Sequence, residues 1–175
     1  MSSSAGGGIR KLYPGEMAES VYAYDFDGAL KKGIKGVLFD IDNTLVPHDA
    51  PADDRARALM EELRARGLSL GLVSNNHEPR VKSFSEACGG LDYVFLSHKP
   101  KPDAYLRLCR KLGLSASQVI FFGDQLFTDI WGANNAGIHS ILVEPIDKST
   151  DIPRIKLKRQ LEKPILCLYK KRFFL

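Results

Sequence analysis

The chain has 175 residues, 44% of them hydrophobic and 26% charged, and a formal net charge of +4. This length suits one globular domain, and the composition excludes a disordered or fibrous chain. No apolar run reaches the roughly 18 residues of a membrane-spanning helix, so the sequence predicts none.

The amino terminus is of low complexity, since the chain begins Met-Ser-Ser-Ser-Ala-Gly-Gly-Gly. We expect residues 1–9 to form a flexible tail, either natural or an expression remnant, and residues 10–153 to form the core. The tail lacks the apolar stretch of a secretory signal. The three cysteines have neither the pattern of a disulfide framework nor the spacing of a zinc site. Both observations predict a cytoplasmic protein.

Short apolar runs rich in Val, Ile and Phe alternate with helical patterns along the core. The runs predict strands over 36–41, 69–73, 93–96, 118–122 and 139–143, and the patterns predict helices over 53–66, 79–88, 102–112 and 128–136. Strands and helices that alternate at this spacing are typical of βαβ units. The sequence therefore predicts an α/β fold, a Rossmann-like three-layer sandwich around a five-stranded, mostly parallel sheet.

Carboxylates follow two of the predicted strands, at the edge where parallel sheets bind ligands. Asp40 and Asp42 are two residues apart after the first strand, so their side chains leave an extended chain on the same face. Asp124 follows the fourth strand. Hard oxygen donors without Cys or His favour Mg²⁺ over zinc. We therefore predict a magnesium site formed by Asp40, Asp42 and Asp124, with a substrate phosphate as a further ligand.

The same edge carries groups suited to holding a phosphoryl group. Ser74 ends the second strand and Lys99 follows the third. Their side chains are expected to bind phosphoryl oxygens, assisted by backbone N–H groups near Asn43 and Asn75. Thr44 is expected either to bind the phosphate or to cap a turn.

The predicted chemistry is the transfer of a phosphoryl group to a carboxylate. Asp40 is placed to act as the nucleophile and form an aspartyl-phosphate. Asp42 is placed to protonate the leaving alcohol and then to activate water. A phosphotransferase on the same fold, or a non-catalytic adaptor that binds phosphate or protein, remains the alternative.

Four short motifs lie at predicted strand ends: Asp40-Ile-Asp42-Asn-Thr, the apolar strand ending in Ser74, Lys99-Pro-x-Pro, and Gly-Asp124-x4-Asp129. In this order they resemble the motifs of the haloacid-dehalogenase-like (HAD) phosphatases. The resemblance implies the roles given above and a Mg²⁺ ion bound by Asp40, Asp124 and the backbone carbonyl of Asp42. It also implies that Asp129 orients Lys99 or supports the metal site.

The similarity is closest to the YqeG branch of this superfamily and covers most of residues 10–170. Ser74-Asn75-Asn76, Gly123-Asp124-Gln125-Leu126 and the Tyr13-Pro14 lead-in carry it. This branch is related to mitochondrial phosphatidylglycerophosphate phosphatases. The resemblance implies a phosphomonoesterase and makes phosphatidylglycerophosphate one candidate substrate.

The segments between the motifs are too short for an inserted cap domain. Only residues 45–52 separate the first motif from the next helix, and between Ser74 and Lys99 there is room for one helix and one strand. We expect a capless core whose open site admits bulky substrates, such as a phosphoprotein, a nucleic-acid end or a phospholipid headgroup.

The positive charge is concentrated at the carboxyl end. Residues 154–175 contain eight basic side chains and one acid, a net charge of +7, which leaves −3 for residues 1–153. We expect a basic helical extension that either packs on the sheet or contacts an anionic membrane at its inner, cytoplasmic face. No nucleic-acid partner is predicted, since no recognised DNA or RNA motif is present. Pro164 predicts a turn within the segment.

Overall fold

The computed structural model describes residues 7–173, so most of the tail expected at 1–9, together with Phe174 and Leu175, lies outside the described residues. Within 7–173 one six-stranded sheet forms, and every pair of neighbouring strands is parallel. The strands are β1 Glu16–Ala18, β2 Gly36–Phe39, β3 Ser69–Val73, β4 Asp92–Val94, β5 Val119–Gly123 and β6 His139–Val143. The α/β prediction is confirmed.

The helices are α1 Gly7–Arg10, α2 Phe26–Lys31, α3 Asp54–Ala65, α4 Glu78–Ala87, α5 Asp103–Lys111, α6 Trp131–Asn135 and α7 Pro153–Phe173. The helix predicted over 128–136 is divided into a π-helical turn, Leu126–Ile130, and α6. Helices α3 and α4 pack on one face of the sheet, and α5 and α6 on the other. This is the predicted three-layer sandwich.

The central strands are buried on both faces, which explains their continuous apolar sequence. In β2, Val37 and Phe39 face the core beneath α3, whereas Leu38 faces the core beneath α5. The alternation follows from the two-residue repeat of a strand. All four residues of β2 are buried.

The sheet has six strands rather than the predicted five, because β1 was not predicted. β1 has only three residues, Glu16–Ala18, all of them half-buried, and pairs with β6 alone at the edge of the sheet. An edge strand this short lacks the apolar run that marks the central strands.

The turn predicted at Pro164 is wrong, since Pro164 lies inside the 21-residue helix α7. Packing holds the helix: Ile165 and Leu166 contact a cluster formed by Leu126, Ile130 and Leu142. Such contacts outweigh the local cost of an interior proline, about 3 kcal/mol. Among the residues described, no helix is both long and apolar enough to cross a membrane.

The strand order, β1-β6-β5-β2-β3-β4, reverses direction between β2 and β5. The chain runs outward from β2 through β3 to β4, then returns to place β5 on the other side of β2. In open parallel sheets the crevice at such a reversal, outside the carboxyl ends of the strands, binds ligands. Asp40 follows β2 and Asp124 follows β5, so both lie at this crevice.

Candidate active site

Asp40 and Lys99 form a buried ion pair at the carboxyl end of β2. The Lys99 Nζ lies 2.6 Å from Asp40 Oδ1 and 2.7 Å from Asp129 Oδ1, and donates a further hydrogen bond to the Val73 carbonyl at 3.1 Å. Burial alone would lower the pKa of Lys99, but Asp129 and Asp40 raise it above its ordinary value. Lys99 is therefore a fixed positive charge between two carboxylates.

Asp124 and Asp129 approach Asp40 from the end of β5 and from the π-helical turn. One carboxylate oxygen from each of the three lies within 4.8 Å of the others, and all three residues are buried. Asp129 Oδ2 accepts a hydrogen bond from the Gln125 N–H at 3.1 Å. Asp124 Oδ1 is buried without a hydrogen-bond partner among the described residues.

Arg159 brings helix α7 into this cluster. Its guanidinium donates to Asp124 Oδ2 at 2.6 Å and to Asp151 Oδ2 at 2.5 Å. Asp151 Oδ1 in turn accepts from Asn43 Nδ2 at 2.8 Å. A chain of polar contacts therefore connects the loop after β2, the segment before α7, α7 itself and the end of β5.

The donor set fits a divalent cation. Four carboxylates and two cations meet here: Asp40, Asp124, Asp129 and Asp151 with Lys99 and Arg159. With all six ionised, two negative charges remain uncompensated, the charge of one divalent ion. Burial raises the pKa of Asp40 to about 7 against the opposing effect of Lys99, and burial also raises that of Asp124. Burial disfavours the charged form of each carboxyl group, and the neighbouring Asp129 carboxylate raises both pKa values further.

The Asp42 carboxylate points away from this cluster. It accepts hydrogen bonds from the Asp49 N–H at 3.1 Å, from Arg80 Nη2 at 3.0 Å and from Asn76 Nδ2. The carboxylate therefore stands outside the three-carboxylate group, while Asp42 still lines the same cavity as Asp40. The roles expected of Asp42 in proton transfer and, through its backbone carbonyl, in cation binding stay predictions.

Ser74 and Asn75 lie where β3 ends, as expected. The buried Ser74 hydroxyl accepts a hydrogen bond from the Asn76 N–H at 3.1 Å. The Asn75 amide oxygen accepts from the Ser97 hydroxyl at 2.8 Å and from the Lys99 N–H at 2.9 Å. The side chain of Asn75 thus fixes the backbone that carries Lys99.

Thr44 lies in the turn after Asp42. The turn is closed by hydrogen bonds from the Asn43 N–H to Val46 O and from the Leu45 N–H to Ile41 O, with Asn43 at a φ of 60°. The Thr44 hydroxyl is buried and has no hydrogen-bond partner among the residues described. Its role in phosphate binding stays a prediction.

A cavity of about 370 Å³ opens over the cluster. Asp40, Ser74 and Lys99 line it at the ends of the strands, and Arg154 and Lys158 line it from α7. The first two turns of α7 thus provide a basic rim, which the sequence analysis did not predict.

Arg159 and Asp151 were also missed, and little in the sequence could have identified them. Arg159 is one of eight basic residues in its segment, and it is separated from Asp124 by 35 positions. Only the placement of α7 across the sheet edge distinguishes it. The strand-end motifs, by contrast, are local signals.

Comparison with known proteins gives three informative similarities. The family model "Hydrolase: haloacid dehalogenase-like hydrolase" matches residues 48–137. "Probable phosphatase YqeG" of Bacillus subtilis (strain 168) is 36% identical over 166 residues, which are 94% of this chain and 95% of that protein. "Phosphatidylglycerophosphate phosphatase 1, chloroplastic/mitochondrial" of Arabidopsis thaliana is 29% identical over 153 residues. The match covers 81% of this chain but only 43% of that protein.

Solved structures share the fold. The cobalt-bound form of the deoxy-D-mannose-octulosonate 8-phosphate phosphatase from Haemophilus influenzae superposes with a TM-score of 0.51 at 17% identity, over 80% of this chain and 91% of that one. At this identity the likeness concerns the fold alone.

Proposed function

The chain belongs to the haloacid dehalogenase-like hydrolases and is a phosphatase of their YqeG family, and from this premise we propose that it is a Mg²⁺-dependent phosphomonoesterase with Asp40 as nucleophile. The observation that carries the proposal is the group of three buried carboxylates at the reversal point of the sheet, two of which pair with Lys99. A carboxylate nucleophile beside a fixed cation is the arrangement that this chemistry needs.

The proposed reaction has two steps. An Asp40 oxygen attacks the phosphorus, the bond to the substrate oxygen breaks, and Asp42 gives its proton to the leaving alcohol. Water then attacks the aspartyl-phosphate, Asp42 takes a proton from that water, and the bond to Asp40 breaks to release inorganic phosphate. Ser74 and Lys99 line the cavity with Asp40 and supply donors for phosphoryl oxygens.

Asp40, Asp124 and the backbone carbonyl of Asp42 would hold the cation, with Asp129 supporting it. Mg²⁺ suits oxygen ligands and reduces the repulsion between an anionic phosphate and the carboxylates. The role of Asp129 is supported by its contact with Lys99 at 2.7 Å. Asn75 acts on the phosphate indirectly, through the Lys99 backbone that it fixes.

The test is phosphate release by the purified chain with and without Mg²⁺. We expect Asp40→Asn to lower kcat by at least about 10³-fold, because an amide cannot accept the phosphoryl group. Acid quenching during turnover should leave one phosphate on the wild-type chain, located at Asp40 by mass spectrometry. Asp54→Asn is the matched control, since the Asp54 side chain is 98% exposed at the start of α3.

Full Mg²⁺-dependent activity in the Asp40→Asn variant would exclude the mechanism. Transfer of phosphate to added alcohols in preference to water would favour the phosphotransferase alternative. No turnover of any phosphoester would favour the adaptor.

For the substrate, we favour a lipid phosphomonoester at an anionic membrane surface, at the cytoplasmic inner face. Three features support this: the similarity to the Arabidopsis phosphatase, the open cavity, and the basic rim from Arg154 and Lys158. Phosphate release from phosphatidylglycerophosphate vesicles is compared with release from soluble sugar and nucleotide phosphates. A much higher kcat/KM for the soluble compounds would exclude the lipid.

A further inference from the structure

Arg159 contacts Asp124 through two hydrogen bonds. Its Nη2 donates to Asp124 Oδ2 at 2.6 Å, and its Nη1 lies 3.3 Å from the Asp124 backbone carbonyl. The Asp124 side chain has no exposed surface, and that of Arg159 is 14% exposed. The pair is therefore largely shielded from water, where a charged hydrogen bond holds its geometry well.

The two oxygens of Asp124 have different surroundings. Oδ2 is held by Arg159, whereas Oδ1 is buried and has no hydrogen-bond partner within residues 7–173. Asp124 forms a group with Asp40 and Asp129 in which one carboxylate oxygen of each residue lies within 4.8 Å of the others. One oxygen is thus anchored, and the other is left for a cation.

Arg159 is itself held in place by Asp151. Its Nε donates to Asp151 Oδ2 at 2.5 Å, and its Nη2 lies 3.2 Å from Asp151 Oδ1. Asp151 is buried and also accepts from Asn43, next to Asp42 in the loop after β2. The planar guanidinium makes both sets of contacts at once, which a lysine ammonium at this position cannot do.

We infer that Arg159 of α7 is a positioning residue for the metal ligand Asp124, so that tight Mg²⁺ binding depends on the carboxyl-terminal helix. The inference rests on the proposed function. Groups that orient a metal ligand typically change metal affinity by about 10- to 100-fold when removed. An effect on affinity rather than on the chemical step distinguishes Arg159 from the catalytic residues.

The experiment measures Mg²⁺ binding to the full chain by isothermal titration calorimetry, without substrate. We expect Arg159→Ala to weaken Mg²⁺ binding about 10- to 100-fold, and kcat to recover towards the wild-type value at saturating Mg²⁺. Arg159→Lys should also bind weakly, since it keeps the charge but loses the double contact. Lys163→Ala removes the same charge one turn later on α7, from an exposed position, and should bind Mg²⁺ like the wild type.

The test remains decisive if Arg159→Ala fails to fold. If Arg159→Ala does not fold by circular dichroism, Arg159→Lys and Asp151→Asn take its place, and wild-type Mg²⁺ affinity in both would overturn the inference. Unchanged or tighter Mg²⁺ binding by folded Arg159→Ala would overturn it too, the latter because Arg159 would then compete with the cation. A wild-type chain that neither binds Mg²⁺ nor releases phosphate would instead overturn the proposed function itself.

Discussion

Gly123, the last residue of β5, allows Asp129 to pack directly against the sheet. A Cβ at this position would lie 2.4 Å from the Asp129 Cβ and 2.8 Å from its Oδ2. Asp129 cannot yield easily, because it also pairs with Lys99 at 2.7 Å. The need for glycine here therefore comes from the close approach of two chain segments.

We expect Gly123→Ala to cost about 1–3 kcal/mol of stability, as overpacking of a buried site does. Activity should fall by more than the folded fraction does, because displacement of Asp129 disturbs Lys99. Urea denaturation and kcat/KM measured on the same preparation separate the two effects. Gly8→Ala is the control, since nothing lies within 4 Å of its added Cβ; equal behaviour of the two variants would contradict the prediction.

At the residue scale, the sequence predicts the groups that directly follow strands. Asp40, Ser74, Lys99 and Asp124 were all predicted at strand ends. The structure brings the first three to one cavity, and Asp124 to the carboxylate group that contains Asp40. The direction of a side chain is harder to predict. The Asp42 carboxylate is turned towards the loop by partners from other elements, which no spacing along the chain reveals.

At the element scale, prediction succeeded where an element carries its own signal. The central strands are marked by burial on both faces. Helix α3 begins where the helix over 53–66 was predicted, and Asp53 Oδ1 caps it by accepting from the Ala56 N–H at 2.8 Å. The short elements β1 and α2 were missed, because they have too few residues to show a period. Helix α7 was foreseen only as a basic extension, and its contacts with the site depend on tertiary packing.

Glu162 shows how closely α7 is joined to the core. It is 4% exposed, and its Oε1 accepts a hydrogen bond from the Phe127 N–H at 3.1 Å. Burial raises the pKa of Glu162 from 4.5 to about 7, although the Phe127 N–H and Arg159 oppose the shift. Between these two pH values the folded chain binds more protons than the unfolded chain. Stability contributed by protonated Glu162 is therefore present below about pH 4.5 and is lost as the pH rises towards 7.

We expect Glu162→Gln to remove this loss, because the neutral amide oxygen can still accept from the Phe127 N–H. Its melting temperature should exceed that of the wild type at pH 8, with a smaller difference at pH 5. At pH 8 the free energy of unfolding of Glu162→Gln should exceed that of the wild type by at most about 3 kcal/mol. Thermal melts at the two pH values check it, with Glu61→Gln, exposed on α3, as the control. A difference that does not change between the two pH values would contradict the raised pKa of Glu162.

At the scale of the whole molecule, the excess of basic residues at the carboxyl end lies on one helix, α7. The basic segment is a helix with one side fixed to the core through Arg159, Glu162 and the buried Tyr169. Deletion of the segment is therefore expected to destabilise the fold, and single substitutions are the better probe of its outer side. The first turn of α7 borders the cavity, since the exposed Arg154 lines it.

The outer side of α7 carries a stripe of exposed leucines, Leu157, Leu161 and Leu168, which are 62%, 56% and 51% exposed. Their spacings of four and seven residues place them on one face of the helix. Basic side chains beside an exposed apolar stripe suit insertion into the surface of an anionic membrane, at about 1 kcal/mol per lysine or arginine near the surface. Docking by this face would bring lipid headgroups to the rim of the cavity.

We expect replacement of all three leucines by alanine to weaken binding to anionic vesicles by about tenfold or more, since each buried leucine contributes about 1.5–3 kcal/mol. Alanine maintains the helix, so hydrolysis of soluble phosphoesters should be unchanged while hydrolysis of vesicle substrates falls. Vesicle flotation at low and high salt checks both the apolar and the electrostatic contribution. Leu106→Ala, on α5 and 37% exposed, serves as the control. Wild-type flotation by the triple variant would exclude the leucine face of α7 as the docking surface. The basic rim would then be expected to bind the substrate and not the membrane.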